Sequence, residues 1–231
     1  MLDQIKADLK KASNPTKAIS VSSYFKNGKP GYPEKEIFLG VTVPEQRKIA
    51  KNYVGISLSG LSQLLNSKIH EHKLTALIIL VEKYKKTDEK EKKIIIDFYL
   101  SNTAFINNWD LVDTSAAYIV GDYLLNKEKA ILYKLARSEN IWERRISIVS
   151  TYAFIKKNQF KETLELGEIL LHDQHDLIHK AVGWMLRELG KRNLKVEEQF
   201  LNKYYQEMPR TMLRYAIEKF SDEKKAFYMK R

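Results

Sequence analysis

Apolar residues recur along most of this chain at the three- and four-residue spacing of a helix, and the alternation of a strand is scarce. Ile178, Val182, Met185 and Leu189 fall at i, i+4, i+7 and i+11 and trace one continuous stripe. Four of the five prolines, Pro15, Pro30, Pro33 and Pro44, lie near the start, which leaves Glu45 to Met208 free of proline and able to be helical throughout. The punctuation is polar instead. Asn107-Asn108, Asn126, Ser138 to Asn140, Asn158, His172 to Gln174 and Asn193 suit helix caps and short turns.

Breaks about every 13 to 20 residues predict helix pairs of about 31 to 36 residues, the size of a HEAT or related repeat. The second helix of each pair aligns on a polar residue beside small and apolar ones: Lys73-Leu-Thr-Ala, Asp113-Thr-Ser-Ala, Arg145-Ile-Ser-Ile, Lys180-Ala-Val-Gly and Arg214-Tyr-Ala-Ile. The expected architecture is all-α, a single HEAT-like helical-repeat solenoid over residues 1–231. Equivalent repeat positions line one face, so Lys73, Arg145, Lys180 and Arg214 would form a ladder of cations on a concave surface, interrupted by Asp113.

Composition narrows the function. A net charge of +11 favours a polyanionic partner. The absence of cysteine removes disulfides, thiolate metal sites and cysteine nucleophiles. Apolar runs such as Leu74 to Val81 are too short to span a bilayer, and charges scattered through Met1 to Lys11 exclude the apolar core of a secretory signal. A cytoplasmic protein without membrane contact is expected.

Several constellations could carry chemistry. Trp109 and Asp113 are i and i+4 and share a helix face, an aromatic wall beside an anion; the alternative is a core tryptophan with Asp110 or Asp113 as a cap. Lys180, Trp184, Arg187 and Lys191 occupy the face opposite the apolar stripe, where a tryptophan among cations is placed to contact a ligand. Arg144 and Arg145 stand at a helix start, where one can reach phosphate while the other pairs with Glu143 or faces solvent. Trp142 reads as core. The cluster His172, His175 and His179 with Asp173 and Asp176 reads as caps and a turn more readily than as a metal site, and Lys83 to Lys93 as a solvated turn.

The stretches Ile37-Phe-Leu-Gly-Val-Thr-Val-Pro-Glu-Gln-Arg47, Asn108-Trp-Asp-Leu-Val-Asp113 through Gly121-Asp122, Asn140-Ile-Trp-Glu-Arg-Arg145, His179-Lys-Ala-Val-Gly-Trp-Met-Leu-Arg-Glu188 and Met208-Pro-Arg-Thr-Met-Leu-Arg-Tyr-Ala-Ile217 resemble the AlkD-like DNA alkylation-repair family of HEAT-repeat glycosylases. The resemblance implies excision of cationic N3- and N7-alkylated purines from double-stranded DNA, with no metal or cofactor. It gives Asp113 the role of catalytic carboxylate, Trp109 and Trp184 that of an aromatic pair around the deoxyribose, Arg145 that of a neighbouring cation, and Tyr24 that of an amino-terminal tyrosine near the lesion. Arg144, Arg187 and Lys191 join the ladder positions Lys73, Lys180 and Arg214 as expected DNA contacts. The chain departs from the family at Gly28 to Glu36, which forms a longer loop.

A monofunctional glycosylase acting as a monomer is the resulting expectation. The competing readings are a non-catalytic solenoid that binds bent, branched or damaged DNA, and a protein-interaction scaffold.

Overall fold

A computed structural model describes residues 1–25 and 36–230, and these are helical with no strand beyond an isolated bridge between Ile37 and Ile69. The chain divides into two compact units, Met1–Ser115 and Ala116–Arg231.

In the first unit α1 (Leu2–Lys11), α2 (Pro15–Tyr24), α3 (Val43–Lys51), α4 (Leu58–Leu65), α5 (His70–Lys85) and α6 (Glu89–Ser101) precede α7 (Trp109–Ala116), whose last residue opens the second unit. The starts are written in the sequence. Asn14 caps α2 by accepting from Lys17 N at 3.0 Å, with Pro15 at the first helical position, and Asp88 caps α6 by accepting from Glu91 N at 2.9 Å. At α3 the Glu45 carboxylate reaches back to the Thr42 backbone N–H at 3.0 Å. The core is α5: Leu74, Leu77, Ile79 and Leu80 are fully enclosed, with α3, α4 and α6 packed on them.

Residues 36–41 run across the start of α5. Ile37 N donates to Lys68 O and His70 N to Ile37 O, each at 2.9 Å. The Glu71 carboxylate, buried on α5, then accepts three successive backbone N–H groups, from Leu39 at 2.9 Å, Gly40 at 2.8 Å and Val41 at 3.3 Å. Gly40 sits at φ 75°, and a β-carbon there would lie 2.2 Å from Asn14 O, so only glycine can take this corner.

The second unit opens with a π-helical turn, Ala117–Gly121, and continues through α8 (Asp122–Leu124), α9 (Ala130–Ala136), α10 (Ile141–Ser150), α11 (Tyr152–Ile155), α12 (Lys161–Ile169), α13 (Asp176–Gly190), α14 (Leu194–Tyr204), α15 (Arg210–Ala216) and α16 (Asp222–Met229). α10 packs on α9 and α13, and α13 on α12, α14 and α15. The second helices of successive pairs therefore lie against one another, as a helical-repeat fold requires. The stripe Ile178, Val182, Met185 and Leu189 is fully buried on α13, and Trp142 is core. Gly183 lets α15 approach: a β-carbon there would stand 2.4 Å from Met212 O.

The asparagine punctuation functions as expected. Asn140 Oδ1 accepts from Trp142 N at 2.9 Å, Asn193 Oδ1 from Val196 N at 3.3 Å, and Asn158 takes φ 57° in the turn after α11. Within the histidine cluster His175 is the cap of α13: its Nδ1 accepts from Leu177 N at 3.1 Å, and burial pushes its imidazole down, which favours the neutral acceptor form.

Candidate functional site

α7 begins where Asn108, wholly buried, accepts the Trp109 N–H at 2.8 Å on its side-chain oxygen. One turn on, Asp113 shares the face of Trp109, and both side chains are half-buried rather than sealed in the core. Trp109 stacks on Phe25 with centroids 5.1 Å apart and meets the edge of Tyr24 at 5.8 Å. Tyr24 is 70% exposed, a large apolar surface left to solvent at the rim of this cluster. Three residues singled out from sequence, Tyr24, Trp109 and Asp113, thus fall in one region of the first unit. Below α7, Tyr99 is enclosed with its hydroxyl 2.9 Å from Ser115 Oγ, and burial together with the Asp113 charge pushes its phenol up, keeping it neutral.

Behind the tryptophan lies a polar network that the sequence reading did not contain. His70 Nδ1 is 2.8 Å from Glu36 Oε2, and Nε2 is 2.8 Å from Asp110 Oδ2. Lys73 Nζ donates to Glu36 Oε1 at 2.6 Å and to Asn107 Oδ1 at 2.9 Å. The His70 ring packs against Phe25 and Phe38, each 4.9 Å away, and those two stack on each other at 5.5 Å. Burial alone would push the imidazole down, but the Asp110 and Glu36 carboxylates outweigh it and raise it to about 10. The Glu36 carboxyl moves the other way: burial opposes, yet the bonds and charges of His70 and Lys73 hold it below its ordinary range.

In the second unit Trp184 is half-buried on α13, with Tyr152 at 6.1 Å and Lys156 standing 4.3 Å from the Tyr152 ring. Arg145 is only 5% exposed and donates from Nη1 to Leu177 O at 2.6 Å, so α13 fixes its orientation. Arg144 pairs with Asp173 through Nε at 2.6 Å and also donates to the Ser138 and Glu139 carbonyls.

The cation ladder is less open than its charges suggest. Lys73 lies inside the first unit, 6% exposed, where Glu36 holds its ammonium group. Lys180 pairs with Asp176 at 2.9 Å, Lys191 with Glu188 at 2.6 Å, and Arg187 with Glu218. Arg214 is exposed. Of the loop Gly28 to Glu36, only Glu36 lies within the described residues. Among those residues no group of histidine and acidic side chains could hold a metal, and no helix is long and apolar enough to cross a membrane.

A family model for DNA alkylation repair enzymes matches residues 5–220. The chain belongs to the DNA alkylation repair enzyme family. A solved structure described as a predicted DNA alkylation repair enzyme from Enterococcus faecalis superposes with a TM-score of 0.72 at 18% identity, covering 91% of this chain and 97% of that one. At that identity the likeness speaks for the shared helical-repeat fold. A search of curated proteins finds no match. Membership in the family implies a role in DNA repair and DNA as the substrate.

The residues missed from sequence are His70, Glu36, Asp110 with its new partners, Phe25, Phe38 and Tyr152. The His70 bonds join positions 34 and 40 apart in the chain, which no helical spacing reveals. A faint signal existed: His70-Glu-His-Lys73 directly precedes the apolar run Leu74 to Val81, and buried polar groups need partners.

Proposed function

We propose that this protein is a monofunctional DNA glycosylase that hydrolyses the N-glycosidic bond of cationic alkylated purines, such as 3-methyladenine and 7-methylguanine, in duplex DNA. The observation that carries the reading is the half-exposed Asp113 one turn beyond Trp109, with Tyr24 edge-on to that indole. A carboxylate on a protein of net charge +11 is costly next to phosphates, and its place beside an aromatic face suits a cation forming on sugar.

A purine alkylated at N3 or N7 already carries positive charge, so it departs without a proton donor. One carboxylate then suffices. As the bond lengthens, Asp113 stabilises the oxocarbenium character of the deoxyribose and orients the water that attacks it, while the face of Trp109 attracts the same positive charge. Trp184 offers a second aromatic face for the DNA, and Arg145, nearly enclosed and held by Leu177 O, contributes a fixed positive charge rather than an open phosphate contact. Neutral bases gain nothing from this arrangement, so the leaving group sets the selectivity. With no lysine nominated for a Schiff base, the product is an abasic site in an uncut strand.

Release of 7-methylguanine and 3-methyladenine from methylated duplex DNA, by wild type and by Asp113→Asn, tests the reading. Release by the wild type and loss of at least about a hundredfold in the variant are expected. No release by the wild type would end the catalytic reading, and salt-sensitive duplex binding in its place would favour a binding protein.

A further inference from the structure

We propose that His70 is a positioning residue for the base-excision step: bonded to Asp110 through one ring nitrogen and to Glu36 through the other, it fixes the start of α7 and the aromatic layer on which Trp109 rests. The inference deepens the glycosylase reading and rests on it.

Trp109 can present its face to a sugar only if two things are held, the helix that carries it and the ring beneath it. His70 reaches both. Nε2 bonds Asp110, the residue following Trp109, at 2.8 Å, and the imidazole packs at 4.9 Å against Phe25, the ring on which Trp109 stacks. Nδ1 at 2.8 Å from Glu36 completes the set. A ring bonded through both nitrogens to carboxylates must carry two protons, because a neutral imidazole could donate to only one of them. The charges that face it balance locally: Asp110 and Glu36 are the anions, and Lys73, bonded to Glu36, is the second cation. The raised imidazole follows from this geometry, and the positive ring gains further from the two phenylalanines in contact with it. Among the described residues two buried atoms in the same turn, Asp110 Oδ1 and Asn108 Nδ2, have no hydrogen-bond partner, so apart from the Lys73 bond to Asn107 the turn is held to α5 through Asp110 Oδ2 and its bond to His70.

An anchor of this kind acts on orientation and leaves DNA affinity largely alone, since no group in the network is offered to phosphate. Displacing a stacked aromatic by about 1 Å is enough to cost catalysis one to two orders of magnitude.

Three measurements on the full chain decide the matter. Nitrogen-15 spectra of the wild-type histidine rings should show one imidazole doubly protonated from pH 6 to 9, lost in His70→Gln; a neutral tautomer in that range would overturn the proposal. Single-turnover release of 7-methylguanine at saturating enzyme should fall at least about tenfold in His70→Gln, with the duplex Kd changed less than about twofold. Asp110→Asn, nearly isosteric and removing one of the two anions, should bring the imidazole into the assay range and give the excision rate a pH dependence between 6 and 9 that the wild type lacks. It keeps the test alive if His70→Gln does not fold. Wild-type release with unchanged rates in both variants overturns this inference alone, whereas no release by the wild type overturns the glycosylase reading and this role with it.

Discussion

Replacing Glu71 with Ala should unfasten the segment that crosses the start of α5. The carboxylate accepts the N–H groups of Leu39, Gly40 and Val41. Leu39 is half-buried and can turn to water, but Gly40 and Val41 are enclosed, and each buried N–H left without an acceptor costs about 1–3 kcal/mol. The sum is about 2–6 kcal/mol, a large share of the roughly 5–15 kcal/mol that holds a typical domain folded. Glu71→Gln separates the contributions. Its remaining oxygen can keep the Oε1 contacts with Leu39, Gly40 and Val41, and only the Oε2 bond from Leu39 is lost, so the cost should be about 1 kcal/mol. Urea titration read by far-UV circular dichroism measures both differences, and hydrogen exchange at residues 39–41 shows whether the loss is local. Equal stability of the alanine and glutamine variants, or a loss below about 1 kcal/mol for alanine, would refute the reasoning.

Gly40→Ala should cost more than about 3 kcal/mol, because the positive φ and the close Asn14 carbonyl act together; a melting temperature within a degree or two of wild type would contradict it. Burial, assisted by the Glu198 charge, raises the Glu197 carboxyl to about 8 in the folded state, against about 4.5 for the free group. Between those values the folded protein keeps a proton that the unfolded chain has released, so stability should decline as pH rises from about 5 to about 8, and Glu197→Gln should decline less; parallel profiles would exclude this source. In duplex binding, Arg214→Ala should lower the slope of log Kd against log salt by about 0.9, one phosphate's share, while Lys73→Ala should leave the slope unchanged and cost stability instead. The reverse pattern would place Lys73 on the DNA.

Much of this molecule is legible because its rules are local. Helical spacing places Ile178, Val182, Met185 and Leu189 on one buried face, and Asn140, Asn193 and His175 cap the helices that their positions announce. Trp109 and Asp113 share a face for the same reason. What spacing cannot supply is the partner of a charge. Lys73 reads as one rung of a ladder, yet Glu36 claims it from 37 residues away, and Arg144 is claimed by Asp173. A charge count measures the field around a protein; which cations remain available depends on contacts between distant segments. The His70 network escaped for that reason, and because a histidine within an apolar helix looks like any other buried polar residue until its neighbours are known.

Position 183 limits how this sequence can drift. Chains that share this fold at 18% identity differ at most positions, and the fold tolerates this where side chains meet water or where neighbouring pockets can refit. At Gly183 there is no pocket to refit, because the nearest atoms are the Met212 carbonyl and the Tyr215 β-carbon of α15. Any larger residue must wedge α13 and α15 apart, and Trp184, the very next residue, would move with them. Descendants of this protein are free to rewrite the surface around that indole, but its seat allows them a single letter.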